Sequence, residues 1–183
     1  MSPVARNALI AGIAVIAAVA GFVVANFSQR EQPPAVPPAN ARFAATQLLA
    51  LTLPDSSTIA QPLSQWKEKI LVVNFWATWC LPCREEMPGF SRLHTKYATK
   101  GVQFVGIAFD SVDKVTEFSD QTPVSYPLLI ATASLMPLTA ALGDAAGGLP
   151  FTVVIARDGS LLQTRLGLWK EAALEAILAE QTK

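Results

Sequence analysis

Residues 70–76 read Ile-Leu-Val-Val-Asn-Phe-Trp, a nearly continuous apolar run rich in β-branched and aromatic side chains. A strand of this composition has no polar face to turn to water, so it belongs in the middle of a sheet covered on both sides. That requirement selects a layered α/β domain before any other element is placed. Val102 to Ala108 repeats the pattern as a second buried strand. Between them, from Pro82 to about Lys100, Met87, Phe90, Leu93 and Tyr97 recur every three or four residues, the spacing of a helix face, and Gly101 ends it. Ser111 to Gln121 follows as a helix with Val115 and Phe118 inward, then a short strand over Tyr126 to Ile130 and a short helix over Ser134 to Leu142. Phe151 to Ala156 and Leu161 to Leu166 form a late hairpin around Arg157-Asp158-Gly159-Ser160, and a helix over Trp169 to Glu180 closes the chain. Ahead of the first buried strand, Leu48 to Leu53 alternates weakly, the turn cluster at 54–57 follows, Thr58-Ile59 pairs back, and Pro62 to Trp66 makes one helical turn. The expected architecture is a central mixed sheet with helices on both faces and an N-terminal β-hairpin extension.

The chain of 183 residues is 51% hydrophobic, and much of the excess lies before Phe27. Ala8 to Ala25 carries no charge, a run close to the roughly 20 residues of a membrane-spanning helix. Arg6 precedes it, and the charges of Arg30 and Glu31 behind it cancel. The positive-inside rule then leaves residues 1–7 in the cytoplasm and carries everything after Phe27 across the membrane. A signal peptide cleaved near Val23-Val24-Ala25 is the competing reading, and it delivers the domain to the same side. The length of the run favours an anchor over 8–27. Residues 28–42 contain four prolines within QPPAVPPANAR, a composition for an extended spacer or an unstructured linker. The folded domain is expected over 43–183.

Fourteen basic residues balance fourteen acidic ones, so no clustered charge speaks for nucleic acid. There are two cysteines and one histidine. Cys80 and Cys83 lie just after the buried strand, where the long helix opens, and residues three apart share a helix face. Their sulfurs can then meet in a disulfide. Cys80 stands where free N–H groups and the helix dipole favour a thiolate, while Cys83 sits one turn deeper. Cys80 is thus the expected nucleophile on a partner disulfide, with Cys83 resolving the mixed disulfide. Pro82, in the first turn, costs no helix bond. A closed zinc site needs four ligands, and His94, eleven residues beyond Cys83, is the only other strong candidate. A purely structural role fits poorly, because so short a loop barely restrains the unfolded chain.

The block Asn74-Phe75-Trp76-Ala77-Thr78-Trp79-Cys80-Leu81-Pro82-Cys83-Arg84-Glu85-Glu86-Met87-Pro88 resembles the active-site segment of the thioredoxin superfamily, and within it the TlpA/ResA branch of membrane-tethered thiol–disulfide oxidoreductases. Gly148-Leu149-Pro150-Phe151-Thr152 resembles a second block of that family. The resemblance covers about residues 43 to 183. It implies a thioredoxin-like fold, a cis Leu149–Pro150 bond, and a Leu149 backbone facing Cys80 and open to a substrate strand. It makes Trp79 the aromatic that shields the pair and places Leu81 and Pro82 in the substrate-facing loop. Glu86 matches an acid held near the buried cysteine, where a raised pKa suits it to proton transfer; the rival reading is an exposed helix residue. Pro88 matches a proline that kinks the helix. Thioredoxins carry aspartate where Asn74 stands, and Leu81-Pro82 adds no cation to stabilise a thiolate, which leans toward a reductant.

The resemblance further implies a monomer in a bacterial cytoplasmic membrane, single-pass, with its domain in the periplasm. Its partners would be disulfide-bearing proteins there, such as apocytochrome c or a copper-site oxidase subunit, and a membrane thiol-electron donor. No cofactor beyond the Cys80–Cys83 disulfide is expected, and no metal. A peroxiredoxin-like peroxidase is a rival, although Thr78 lies two residues before Cys80 and the rest of the PxxxTxxC arrangement is missing. A copper-binding module is another, although such modules usually space the cysteines by three and add a distal histidine.

Overall fold

The computed structural model describes residues 41–183. The anchor expected over 8–27, the short segment before it and the linker up to residue 40 lie outside the described residues. Among the described residues no helix is long and apolar enough to cross a membrane.

The first element is a helix, α1 (Ala41–Leu49), with Ala41, Ala44, Ala45 and Leu48 buried along one face. This corrects two expectations. Residues 41 and 42, assigned to the linker, begin this helix, and Leu48–Leu49 end it rather than open a strand. Small alanines at helical spacing carry the buried face, a weaker signal than large apolar residues. The hairpin follows as β1 (Thr52–Pro54) and β2 (Ala60–Pro62), antiparallel. Its turn is pinned by Asp55, whose Oδ1 accepts the N–H groups of Ser57 and Ile59. Then come β3 (Ile70–Trp76), α2 (Leu81–Tyr97), β4 (Val102–Ala108), α3 (Val112–Gln121), β5 (Leu128–Ile130), α4 (Met136–Leu142), β6 (Phe151–Ile155), β7 (Leu161–Leu166) and α5 (Glu171–Gln181).

The main sheet runs β5-β4-β3-β6-β7. Strands β3, β4 and β5 are parallel, and β6 and β7 are antiparallel to their neighbours. All seven residues of β3 and of β4 are buried, as their composition requires. Alternate β3 side chains feed two cores. Ile70, Val72 and Trp76 pack with α2, α3 and α5 through Met87, Phe90, Val115 and Leu174. Leu71, Val73 and Phe75 pack with α1 and α4 through Ala45, Leu48 and Leu142. The polar Asn74 is the exception on the first of these faces. Gly101 takes φ 78° after the last turn of α2, the left-handed geometry expected of a helix stop.

Candidate active site

At the C-terminal end of β3 the chain turns through Ala77-Thr78-Trp79 into α2. Cys80 caps the helix, and its Sγ accepts the backbone N–H of Cys83 at 3.3 Å. Pro82 sits in the first turn. Cys80 and Cys83 are joined by a disulfide across a Cα separation of 5.3 Å. Cys83 is closed off at 0% exposure, while Cys80 retains 4%. When the pair is reduced, the same helix start favours a thiolate on Cys80. Trp79 and Leu81 flank the pair and are 70% and 73% exposed. Trp79, given a shielding role by the resemblance, lines a cleft of about 330 Å³ with Phe109, Met136, Thr139 and Leu149.

Two acids missed in the sequence hold the surrounding loops. Asp110, two residues past the end of β4, accepts the Thr78 N–H and hydroxyl through Oδ2. Burial pushes the Asp110 carboxyl up, but bonds from Thr78 and Ser111, together with Lys114, outweigh it and hold it below the usual range. Thr78 is thereby committed to Asp110. Asp144 is buried and accepts the Gly148 N–H at 3.0 Å, bracing the turn that carries Leu149 and Pro150. The Leu149–Pro150 peptide is cis. Leu149 packs at the edge of both cores, one of which contains Cys80 and Cys83. The Pro150 carbonyl accepts the Gly167 N–H at 2.8 Å. Asp110 was legible only as an acid closing a strand, and Asp144 as one of several polar residues in a glycine-rich turn.

Glu86 is not an exposed helix residue. It lies one turn beyond Cys83 and is 4% exposed. Its Oε1 accepts Asn74 Nδ2 at 2.8 Å, and its Oε2 accepts the Trp169 N–H at 2.8 Å. Asn74 Nδ2 also donates to Thr152 Oγ1 at 2.9 Å. Burial pushes the Glu86 carboxyl up to about 8; the bonds from Trp169 and Asn74 and the charge of Arg165 pull against that shift, and Glu85 adds to it. Glu86 is therefore a largely neutral acid at neutral pH, able to give or take a proton at small cost. The position occupied by aspartate in thioredoxins thus serves a different acid: Asn74 cannot titrate, but it orients one that can. Trp169 does not start the last helix, as expected, but precedes α5 and spends its N–H on Glu86. Pro88 lies inside α2, where it removes one helix bond. His94 is half-buried, with Nδ1 3.1 Å from Ser125 Oγ and its ring edge-on to Phe104 and Tyr126. Burial holds its pKa below the usual value, against a hydrogen bond at Ser125.

The AhpC/TSA family model matches residues 45–164. The chain belongs to the AhpC/TSA family. Among curated relatives, the thiol-disulfide oxidoreductase ResA of Bacillus thuringiensis is 32% identical over 121 residues, 66% of this chain and 68% of that one. A solved thioredoxin-related protein from Neisseria meningitidis serogroup B is 37% identical, with a TM-score of 0.63 over 70% of this chain and 97% of its own. A thiol:disulfide interchange protein from Chlorobium tepidum shares the fold at 24% identity, with a TM-score of 0.66 over 85% of this chain and 99% of its own. This AhpC/TSA member is a thioredoxin-like, ResA-like thiol–disulfide oxidoreductase.

Proposed function

We propose that this protein reduces disulfides in partner proteins on the outer side of a bacterial cytoplasmic membrane, to which its N-terminal segment tethers it. The observation that carries the reading is a cysteine pair joined at a helix start, Cys83 fully buried and Cys80 retaining 4% exposure, beside a buried neutral acid. The Cys80 thiolate attacks one sulfur of the partner disulfide, forms a mixed disulfide and expels the other sulfur as a thiolate. Cys83 loses its proton and attacks Cys80 Sγ, which releases the second partner thiolate. The partner gains two electrons, and the Cys80–Cys83 disulfide forms. Glu86, one turn from Cys83, is placed to exchange the proton that Cys83 must lose.

Reduction rather than oxidation is supported by the absence of a cation between the cysteines, since strong oxidants gain their potential by stabilising the reduced form. Apocytochrome c, whose haem-attachment cysteines must be free thiols, fits as a substrate, as does a copper-site oxidase subunit. A membrane thiol donor would renew the pair. Anchoring keeps the domain at high effective concentration near membrane-bound partners.

Equilibration with glutathione tests the direction: a potential near −270 mV or below, on the scale where thioredoxin lies at about −270 mV, marks a reductant, and one near −120 mV sinks the reading. Cys80→Ala should abolish insulin reduction, and Cys83→Ala should accumulate mixed disulfides. Normal turnover by Cys83→Ala would exclude the two-thiol cycle. Protease protection of the tethered domain in intact cells, and its release on opening the outer envelope, tests the location.

A further inference from the structure

The turn between β7 and α5 touches both halves of the site. Arg165 pairs with Thr152, and Thr152 with Asn74, in one row across three strands. Arg165 Nε donates to the Leu168 carbonyl at 3.1 Å. The bond closes the chain around Gly167, whose φ of 82° lies in the left-handed region, open to glycine at little cost. From this turn two N–H groups go to different places. Gly167 donates to the Pro150 carbonyl at 2.8 Å, and Trp169 donates to Glu86 Oε2 at 2.8 Å. The turn offered to substrate and the buried acid therefore hang on the same three residues, and Arg165 clasps the middle one.

We propose that Arg165 is a positioning residue for thiol–disulfide exchange: by holding the Leu168 carbonyl it keeps the Trp169 N–H on Glu86 and the Gly167 N–H on Pro150. The proposal rests on the role given to Glu86 above. Among the described residues, the charged and titratable groups acting with Glu86 are Arg165 from β7, Glu85 on its own helix and Tyr126 ahead of β5, with Cys83 one turn before it on that helix. Asn74 and Thr152 face it as neutral groups, and the β7–α5 turn offers it a backbone N–H. Arg165 thus acts in two separable ways. Its charge favours the Glu86 carboxylate from a distance, and its planar donor fixes the turn. Lysine keeps the first and loses the second, because an ammonium does not reproduce the guanidinium fork.

The test uses the full-length protein. In the oxidised state, where the cysteines do not titrate, Glu86 is followed by carboxyl 13C NMR. In the reduced state, the pH profile of mixed-disulfide resolution by Cys83 and the KM for insulin are measured. Arg165→Gln should raise the Glu86 midpoint by roughly half a pH unit or more, the size of one partly screened charge, and should raise the insulin KM. Arg165→Lys should shift the midpoint less but raise KM similarly. Arg165→Lys matching the parent in both readouts would overturn the proposal, leaving only a distant charge, and this arm decides even where Arg165→Gln fails to fold. Arg165→Gln without effect on midpoint or KM would overturn it too. Glu86→Gln separates the two readings. An unchanged pH profile of mixed-disulfide resolution by Cys83 in that variant removes the proton role of Glu86, while the NMR shift and KM arms still judge Arg165.

Discussion

Glu86→Gln should reverse its own effect on stability as pH rises, and the size of the reversal follows from the burial of the acid. In the unfolded chain Glu86 titrates at its ordinary value of 4.5, and in the folded protein at about 8. Below 4.5 both states hold the proton, and the site adds no pH dependence. Between the two midpoints the folded state keeps a proton that the unfolded state has lost, so stability falls with rising pH; above 8 the loss is complete. At about 1.4 kcal/mol for each pH unit between the midpoints, the full loss is about 5 kcal/mol, and relaxation around the buried charge lowers it to about 2 to 4 kcal/mol. Glutamine cannot ionise, so it escapes this loss. Its amide nitrogen, however, meets one of the two donors that now point at carboxylate oxygens, Asn74 Nδ2 or the Trp169 N–H. An unsatisfied buried donor costs about 1–3 kcal/mol at every pH. The variant should therefore be less stable than the parent near pH 4.5 and more stable near pH 9, with the curves crossing in between. Guanidinium unfolding of the oxidised proteins at several pH values reads this directly. Other shifted groups, including Asp110 and His94, are common to both proteins and cancel in the difference. Parallel curves from pH 4.5 to 9 would refute the account of Glu86 as a buried neutral acid.

Asn74→Asp would set a second carboxyl within hydrogen-bond reach of Glu86. Two such groups cannot both ionise cheaply, so the pair should titrate in two separated steps, the upper one above the parent's Glu86 midpoint, as carboxyl NMR would show. Asp144→Ala leaves the Gly148 N–H without its acceptor; it should cost about 1–3 kcal/mol in denaturant unfolding and raise KM for insulin more than kcat falls. Gly106→Ala would put a methyl group 2.7 Å from Leu128 Cδ2 and 3.1 Å from Trp76 Nε1. Overpacking of that kind should cost about 1–3 kcal/mol in unfolding free energy while leaving the redox potential unchanged.

The buried strands and the junction at Cys80 were legible because their signals are dense: a run such as Ile70–Trp76 excludes water-facing alternatives, and two cysteines three apart at a helix start carry their own chemistry. The order of elements followed from the alternation of the two periodicities. Helix α1 escaped because alanine marks a buried face only faintly. Trp169 escaped for another reason: an aromatic beside a helical pattern reads as part of it, and nothing local shows that its N–H is spent on an acid 83 positions away. Glu86 stood open between a solvated and a buried role, since its fate depends on Asn74 and Trp169, which only the fold brings to it. Arg165 left no local trace at all, because its bond to the Leu168 carbonyl and its charge near Glu86 exist only once the fold brings them together.

The closure of Cys83 has a consequence for traffic through the enzyme. With Cys83 fully buried, a thiol arriving to renew the pair must reach the same sulfur, that of Cys80, which a disulfide client uses. Supplier and client must then alternate at one doorway, each leaving before the other enters. A client that lingers as a mixed disulfide blocks not only other clients but also the delivery of the next two electrons.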